Sequence, residues 1–146
     1  MGTPKIYLDI CCYNRPFDSQ AQLRIRMETE AKLSIQASVR DGVYLLCWSF
    51  MLDYENNRSP YEGKRNMVAL WKDVSSDYCP QSYNVLSHGK DIMNLGIKNC
   101  DALHIACAIE RNCDYFITTD DKLTNKNVDD IRIINPIDFM REMEVS

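Results

Sequence analysis

CDALHIACAIERNCDYFITTDDKL, Cys100 to Leu123, is the stretch on which the reading of the fold turns. Its first half reads as a helix that opens at Asn99 or Cys100 and ends near Asn112. Its second half holds YFIT, Tyr115 to Thr118, whose aromatic and β-branched residues favour a strand. Asp101 stands where the helix begins, and Asp120 and Asp121 follow the strand at once. A helix feeding a short apolar strand is the repeating unit of a parallel α/β fold, because parallel strands need a crossover between them.

The same alternation extends in both directions. Lys5 to Ile10 reads as a first strand, with no helical period. Ser19 and Gln22 then fit a capping box, and Leu23, Met27, Ala31, Ile35 and Val39 step by four along a helix ending near Asp41-Gly42. Val43 to Trp48 (VYLLCW) is almost wholly apolar, as a strand buried on both faces requires. Helices are expected over Phe50 to Asn57, Tyr61 to Val74 and Ser82 to Leu95, with a break at Cys79-Pro80. Ile131 to Ile134 reads as another strand, and Asn135 caps a last helix with Pro136 at its first position. The expected architecture is one domain over residues 1–146, a three-layer α/β/α sandwich around a mostly parallel sheet of about four to five strands.

Composition narrows the class of protein. The chain has 146 residues, 45% apolar and 26% charged, ordinary values for a globular domain. No apolar run reaches the roughly 20 residues of a membrane span, and Asp9 interrupts the N-terminal apolar segment too early for a signal peptide. Seven cysteines, an odd number with no Cys-x-x-Cys, suit reduced buried thiols in the cytoplasm better than a disulfide framework. The net charge of −4 argues against a broad, non-specific nucleic-acid binder, though not against an enzyme whose own acids enter the total.

Those acids fall where a parallel sheet places its active site, beyond the carboxyl ends of the strands. Asp9 ends the first strand, Asp120 and Asp121 follow YFITT, Asp101 opens the helix before that strand, and Glu55 lies about two helical turns beyond VYLLCW. Each taken alone could be a surface acid or a turn cap. Brought together, ionised carboxylates repel unless protons or a cation neutralise them. An all-oxygen set suits Mg²⁺ or Mn²⁺, and such an ion can activate water and stabilise the charge that develops as a phosphodiester is cut.

IYLDICCYNRPFD (Ile6–Asp18), SFMLDYENNRSP (Ser49–Pro60) and the Cys100–Leu123 block together resemble the PIN-domain family, in the right order and across nearly the whole chain. The resemblance implies an α/β/α domain and a metal-dependent endoribonuclease, in many family members the toxin of a bacterial toxin–antitoxin pair. It implies Asp9, Glu55, Asp101 and Asp120 as catalytic and metal-holding residues, with Asp53 and Asp121 as near rivals for two places. An RNA substrate, an antitoxin partner and a homodimer belong to the same expectation. The chain departs from the family pattern after the first aspartate, where Ile10 and Cys11 replace the usual Thr or Ser and Asn. Ser49, Thr118 or Thr119 could supply the missing hydroxyl. A degenerate module that binds RNA or protein without cutting it is the alternative.

Other residues carry two readings each. Asn14, Arg15 and Thr118 are candidates for substrate contact, although Arg15 could instead pair with Asp18. His104 shares a helix face with Asp101 and serves either as a proton shuttle or as a hydrogen-bonded packing residue. Arg58, Lys64, Arg65 and Lys72 form an RNA-guiding rim or a solvated helix face. Tyr13, Tyr54, Tyr61 and Trp71 either stack on bases or pack in the core. Cys100, His104 and Cys107 on one helix make a poor zinc set, since three ligands on one helix rarely converge. An aspartyl phosphatase would want D-x-D at the first strand, and Cys11 stands at the second position.

Overall fold

The computed structural model describes residues 2–145. Among them, strands β1 (Lys5–Leu8), β2 (Leu45–Ser49), β3 (Asp77–Cys79), β4 (Tyr115–Ile117) and β5 (Arg132–Ile134) form one sheet in the order β3-β2-β1-β4-β5. Every pairing is parallel. Helices α1 (Ile10–Asn14), α2 (Leu23–Arg40), α3 (Phe50–Asn57), α4 (Glu62–Val74), α5 (Tyr83–Met93), α6 (Asn99–Glu110), α7 (Asp121–Thr124) and α8 (Pro136–Val145) complete the chain, with a 3-10 turn at Arg15–Phe17. The architecture is the three-layer α/β/α sandwich anticipated from the sequence.

The chain moves outward from β1 through β2 to β3, then crosses back beyond β1 to β4 and β5. With right-handed crossovers, that reversal sends the helices to opposite faces. Helix α2 packs with α8, and α3 with α4, while α5 packs with α6, which lies across β2, β3 and β4. Connections leave β1 and β4 in opposite directions, so a crevice opens at their carboxyl ends. Ile6, Tyr7 and Leu8 of β1 are all fully buried, as a central strand covered on both faces must be.

Several boundaries differ from the sequence reading, each for a local reason. The first strand stops at Leu8 because Asp9 caps α1, its Oδ1 accepting from the Ile10 N–H at 2.8 Å. The segment directly after Asp9 is therefore helical. The Ser19 capping box does not form. Ser19 Oγ instead accepts from the Ala21 N–H, and Gln20 folds back onto the carbonyls of Arg15 and Asp18, which delays α2 until Leu23. Strand β3, three residues at the sheet edge before Pro80, carries too little periodicity to be read in advance. Asn135 does cap α8, accepting from the Ile137 N–H at 2.8 Å.

The buried face of α2 follows its apolar spacing only in the second half, at Ile35 and Val39. Leu23 and Met27 are exposed, whereas Glu28, Lys32, Ile35, Gln36 and Val39 are buried. Glu28 is fully buried and accepts hydrogen bonds from Arg15 Nε at 2.9 Å, Arg24 Nε at 3.3 Å and Asn135 Nδ2 at 2.7 Å. One carboxylate thus ties α2 to the turn after α1 and to the cap of α8. A buried charge is tolerable only with such partners. All seven cysteines are free thiols, five of them buried. Among the described residues, no helix is long and apolar enough to cross a membrane.

Removing the Glu28 carboxylate leaves two guanidinium groups and an amide without their shared acceptor. Glu28→Ala should destabilise the fold by on the order of 3 kcal/mol in urea denaturation, part of each arginine being rescued by solvent. A loss below about 1 kcal/mol would show that the network is not the tie described.

Candidate active site

Asp9 sits where β1 gives way to α1 and is only 5% exposed. Its backbone N–H donates to the Ile117 carbonyl at 2.9 Å, continuing the β1–β4 ladder one residue past the strand. Its side chain is held from two directions. Oδ1 caps α1, and Oδ2 accepts from the fully buried Thr118 hydroxyl at 2.9 Å, with Cys11 Sγ 3.5 Å away. Thr118 lies on the neighbouring strand's extension. Of Ser49, Thr118 and Thr119, Thr118 is the one whose hydroxyl donates to Asp9, and it also accepts from the Asp120 N–H at 3.1 Å.

Asp101 occupies the first turn of α6. Its carboxyl is pushed up to about 6, first by burial and then by the negative charges of Asp9, Asp120 and Glu55, with His104 opposing. Burial is the leading cause, and the further contributions bring Asp9, Asp120 and Glu55 within electrostatic range of Asp101. The two rivals are engaged elsewhere. Asp53 accepts from Trp48 Nε1 at 2.8 Å, Tyr78 Oη at 2.8 Å and Lys72 Nζ at 3.1 Å. Burial alone would raise its carboxyl, but these donors hold it below the ordinary range. Asp121 is exposed and paired with Arg24. Asp120, in contrast, caps α7 by accepting from the Lys122 N–H.

Glu55 is anchored by a chain of buried hydrogen bonds. Its Oε1 meets His104 Nε2, His104 Nδ1 lies 2.5 Å from Tyr7 Oη, and Tyr7 Oη lies 2.5 Å from Ser49 Oγ. Ser49 in turn caps α3, the helix that carries Glu55. His104 and Tyr7 are fully buried, and Tyr7 stacks on Phe116. Burial pulls the His104 imidazole down, but the Glu55 hydrogen bond and the charges of Asp9, Glu55 and Asp101 outweigh it and leave it raised. His104 is a positioning residue for Glu55, and Tyr7 is a member of the site that sequence reasoning did not single out. Its only signal was an aromatic with a polar tip inside a doubly buried strand.

Beside Glu55 a cleft of about 390 Å³ is lined by Asn14, Arg58, Ser59, Pro60, Tyr61 and Lys64. Asn14 therefore reaches the site. Arg15 does not face it freely, since its guanidinium binds Glu28 and Asp18. Of the other basic candidates, Arg65 bonds to the Ser59 carbonyl and Lys72 to Asp53. Tyr13 and Trp71 line a different cavity.

The donor chemistry fits a hard divalent cation, being all carboxylate oxygen in a field where one carboxyl is already forced upward. Among the described residues, no three His, Cys, Asp or Glu side chains are grouped as direct ligands of one ion. Mg²⁺ commonly keeps several waters and takes only one or two carboxylates plus substrate phosphate.

Neither a protein-family model nor a curated protein sequence matches the chain. Solved structures do. The fold is similar to that of a chain in the crystal structure of VapBC2 from Rickettsia felis bound to a DNA fragment from their promoter, with a TM-score of 0.56 over 90% of this chain and 98% of that one. At 14% identity the likeness concerns architecture, and the architecture is PIN-like.

Asp101 provides a test of the cluster. Its folded-state value lies above its unfolded one, so the stability it contributes is present below the ordinary carboxylate range and is lost as pH rises through about 6. Asp101→Asn, uncharged throughout, should match the parent near pH 4. At pH 7.5, in chelator, it should exceed the parent by about 1–2 kcal/mol, the share of such a shift left after solvent screening. A pH-independent difference in denaturation midpoints would mean that the acids do not share a field.

Proposed function

We propose that this protein is a metal-dependent endoribonuclease that hydrolyses RNA phosphodiester bonds. The observation that carries this reading is the meeting of Asp9, Glu55, Asp101 and Asp120 at the switch point between β1 and β4, expressed in the raised Asp101 carboxyl. Asp9, Glu55, Asp101 and Asp120 would hold Mg²⁺ or Mn²⁺. Such an ion, when bound, would activate water and offset the charge that develops on the phosphate as the diester is cut. The protein's own part is positional. Thr118 and the α1 cap fix both oxygens of Asp9, and the His104–Tyr7–Ser49 chain fixes Glu55. Asn14, Arg58 and Lys64 offer donors to backbone phosphates in the adjoining cleft, and the exposed Tyr61 offers a face for a base.

The similarity to a chain of VapBC2 supports placing the protein as the toxin of a toxin–antitoxin pair, with an antitoxin protein as its partner. A second reading, a PIN-like module that binds RNA or protein without cutting it, is favoured by the engagement of Glu55 with His104 and the absence of a grouped three-ligand set among the described residues.

Incubation of the purified protein with labelled single-stranded RNA and Mn²⁺ separates the two. Cleavage that chelator stops, and that Asp9→Asn and Asp101→Asn each lower by about 100-fold or more with RNA binding kept, is expected for the nuclease. RNA binding with no metal-dependent cleavage would establish the binding module instead.

Thr118→Val removes only the hydroxyl that orients Asp9. Its kcat should fall by about 10-fold with KM little changed, as for a group supporting a metal-holding residue. An unchanged kcat would rule out Thr118 as the replacement for the hydroxyl missing at position 10.

A further inference from the structure

Glu28 on the buried face of α2 is fully partnered, but the next two polar residues on that face are not. Lys32 is 4% exposed and, among the described residues, forms no ion pair or conventional hydrogen bond; its ammonium lies 5.7 Å from the Tyr13 ring centre and 6.0 Å from that of Trp71. The Gln36 Nε2 amide and the Tyr13 hydroxyl are both buried with no hydrogen-bond partner among the described residues. Buried polar groups left in this way are rare and expensive, so each demands an account. Aromatic faces compensate an ammonium in part, yet they give no acceptor to a lysine, an amide or a phenol.

Tyr13, Lys32 and Gln36 border one cavity of about 170 Å³ between α2, α4 and the segment from α1 into the following turn, although the Tyr13 hydroxyl and the Gln36 amide nitrogen are themselves sealed from its space. Phe17, Leu33, Met67, Val68 and Trp71 supply apolar walls, and Arg40 stands 4.6 Å from the Trp71 ring. No Asp or Glu lines it, and none of Asp9, Glu55, Asp101 or Asp120 reaches it. Burial brings the Lys32 ammonium down to about 8, with no carboxylate to offset it. The space is that of a small ring rather than of one bridging water. Its chemistry is donors at one place, two cations and no anion, and apolar surface elsewhere.

We propose that this cavity binds a small organic carboxylate with an aromatic or branched apolar body. The carboxylate accepts from the Lys32 ammonium, with Arg40 as a second cation, and the body packs on Trp71, Met67 and Phe17. The site is separate from the acid cluster and does not depend on nuclease activity. Its ligand class follows from two cations and apolar walls with no carboxylate among the lining residues.

Benzoate is the probe, followed by amide and Trp71 indole shifts in ¹⁵N NMR of the full chain. Saturable shifts confined to the cavity residues, with a Kd of about 1 mM or tighter, are expected for a ligand of this size. Lys32→Met keeps the side-chain length, removes an uncompensated buried charge and so should remain folded. It should weaken benzoate at least 10-fold, with a thermal midpoint showing that the variant is folded. Benzamide binding as well as benzoate, inorganic phosphate binding as well as benzoate, benzoate affinity unchanged in a folded Lys32→Met, or no saturable shift at about 10 mM would each overturn the proposal.

Discussion

Where β1 and β4 end, their connections leave in opposite directions, and the hydrogen bond from the Thr118 hydroxyl to Asp9 bridges the opening between them. The position of that bond is set by the ladder beneath it. Leu8 pairs with Ile117, and the Asp9 N–H continues to the Ile117 carbonyl. Register in a buried sheet is strongly determined, because a slip of one residue would turn Tyr7, Asp9 and Thr118 toward the wrong faces. The sheet therefore does more than display the acids. It fixes which hydroxyl meets which carboxylate, and through Tyr7 and Ser49 it fixes the helix-borne His104 and Glu55 as well.

The helical layer on α2's side obeys a different balance. Helix α2 buries a carboxylate, an ammonium and an amide where its sequence offers Leu23 and Met27 for burial. The carboxylate is the organising member, since it gathers Arg15, Arg24 and Asn135 from three parts of the chain. Arg15 cannot both hold Glu28 and reach freely toward a phosphate, so the turn after α1 is built for rigidity. Rigidity there matters because Asp9 caps the short helix that leads into that turn.

Long periodic or strongly apolar segments were legible in the sequence: VYLLCW, the α6–β4 unit, the Asn135-Pro136 cap and the alternation that implies a parallel sheet. So was the position of Asp9 and Asp120 just past strand ends, where such a sheet opens its crevice. What could not be read depended on partners distant in sequence. Helix α1 exists because Asp9 is free to cap it, the face of α2 is decided by Arg15 and Asn135, and β3 is an edge strand only by virtue of β2. The place of Asp53 outside the site likewise follows from Trp48, Tyr78 and Lys72, none of which a count along the helix would reveal. Tyr7 was hidden by its apolar neighbours in β1.

Thr118 also bears on how little of such a site is written along the chain. The acceptor on Asp9 does not distinguish a hydroxyl borne by the very next residue from one borne beyond the neighbouring strand, 109 positions away in the chain. Here the near position is the apolar Ile10 and the donor is the distant one. A contact closed in this way belongs to the sheet's register and leaves no local motif.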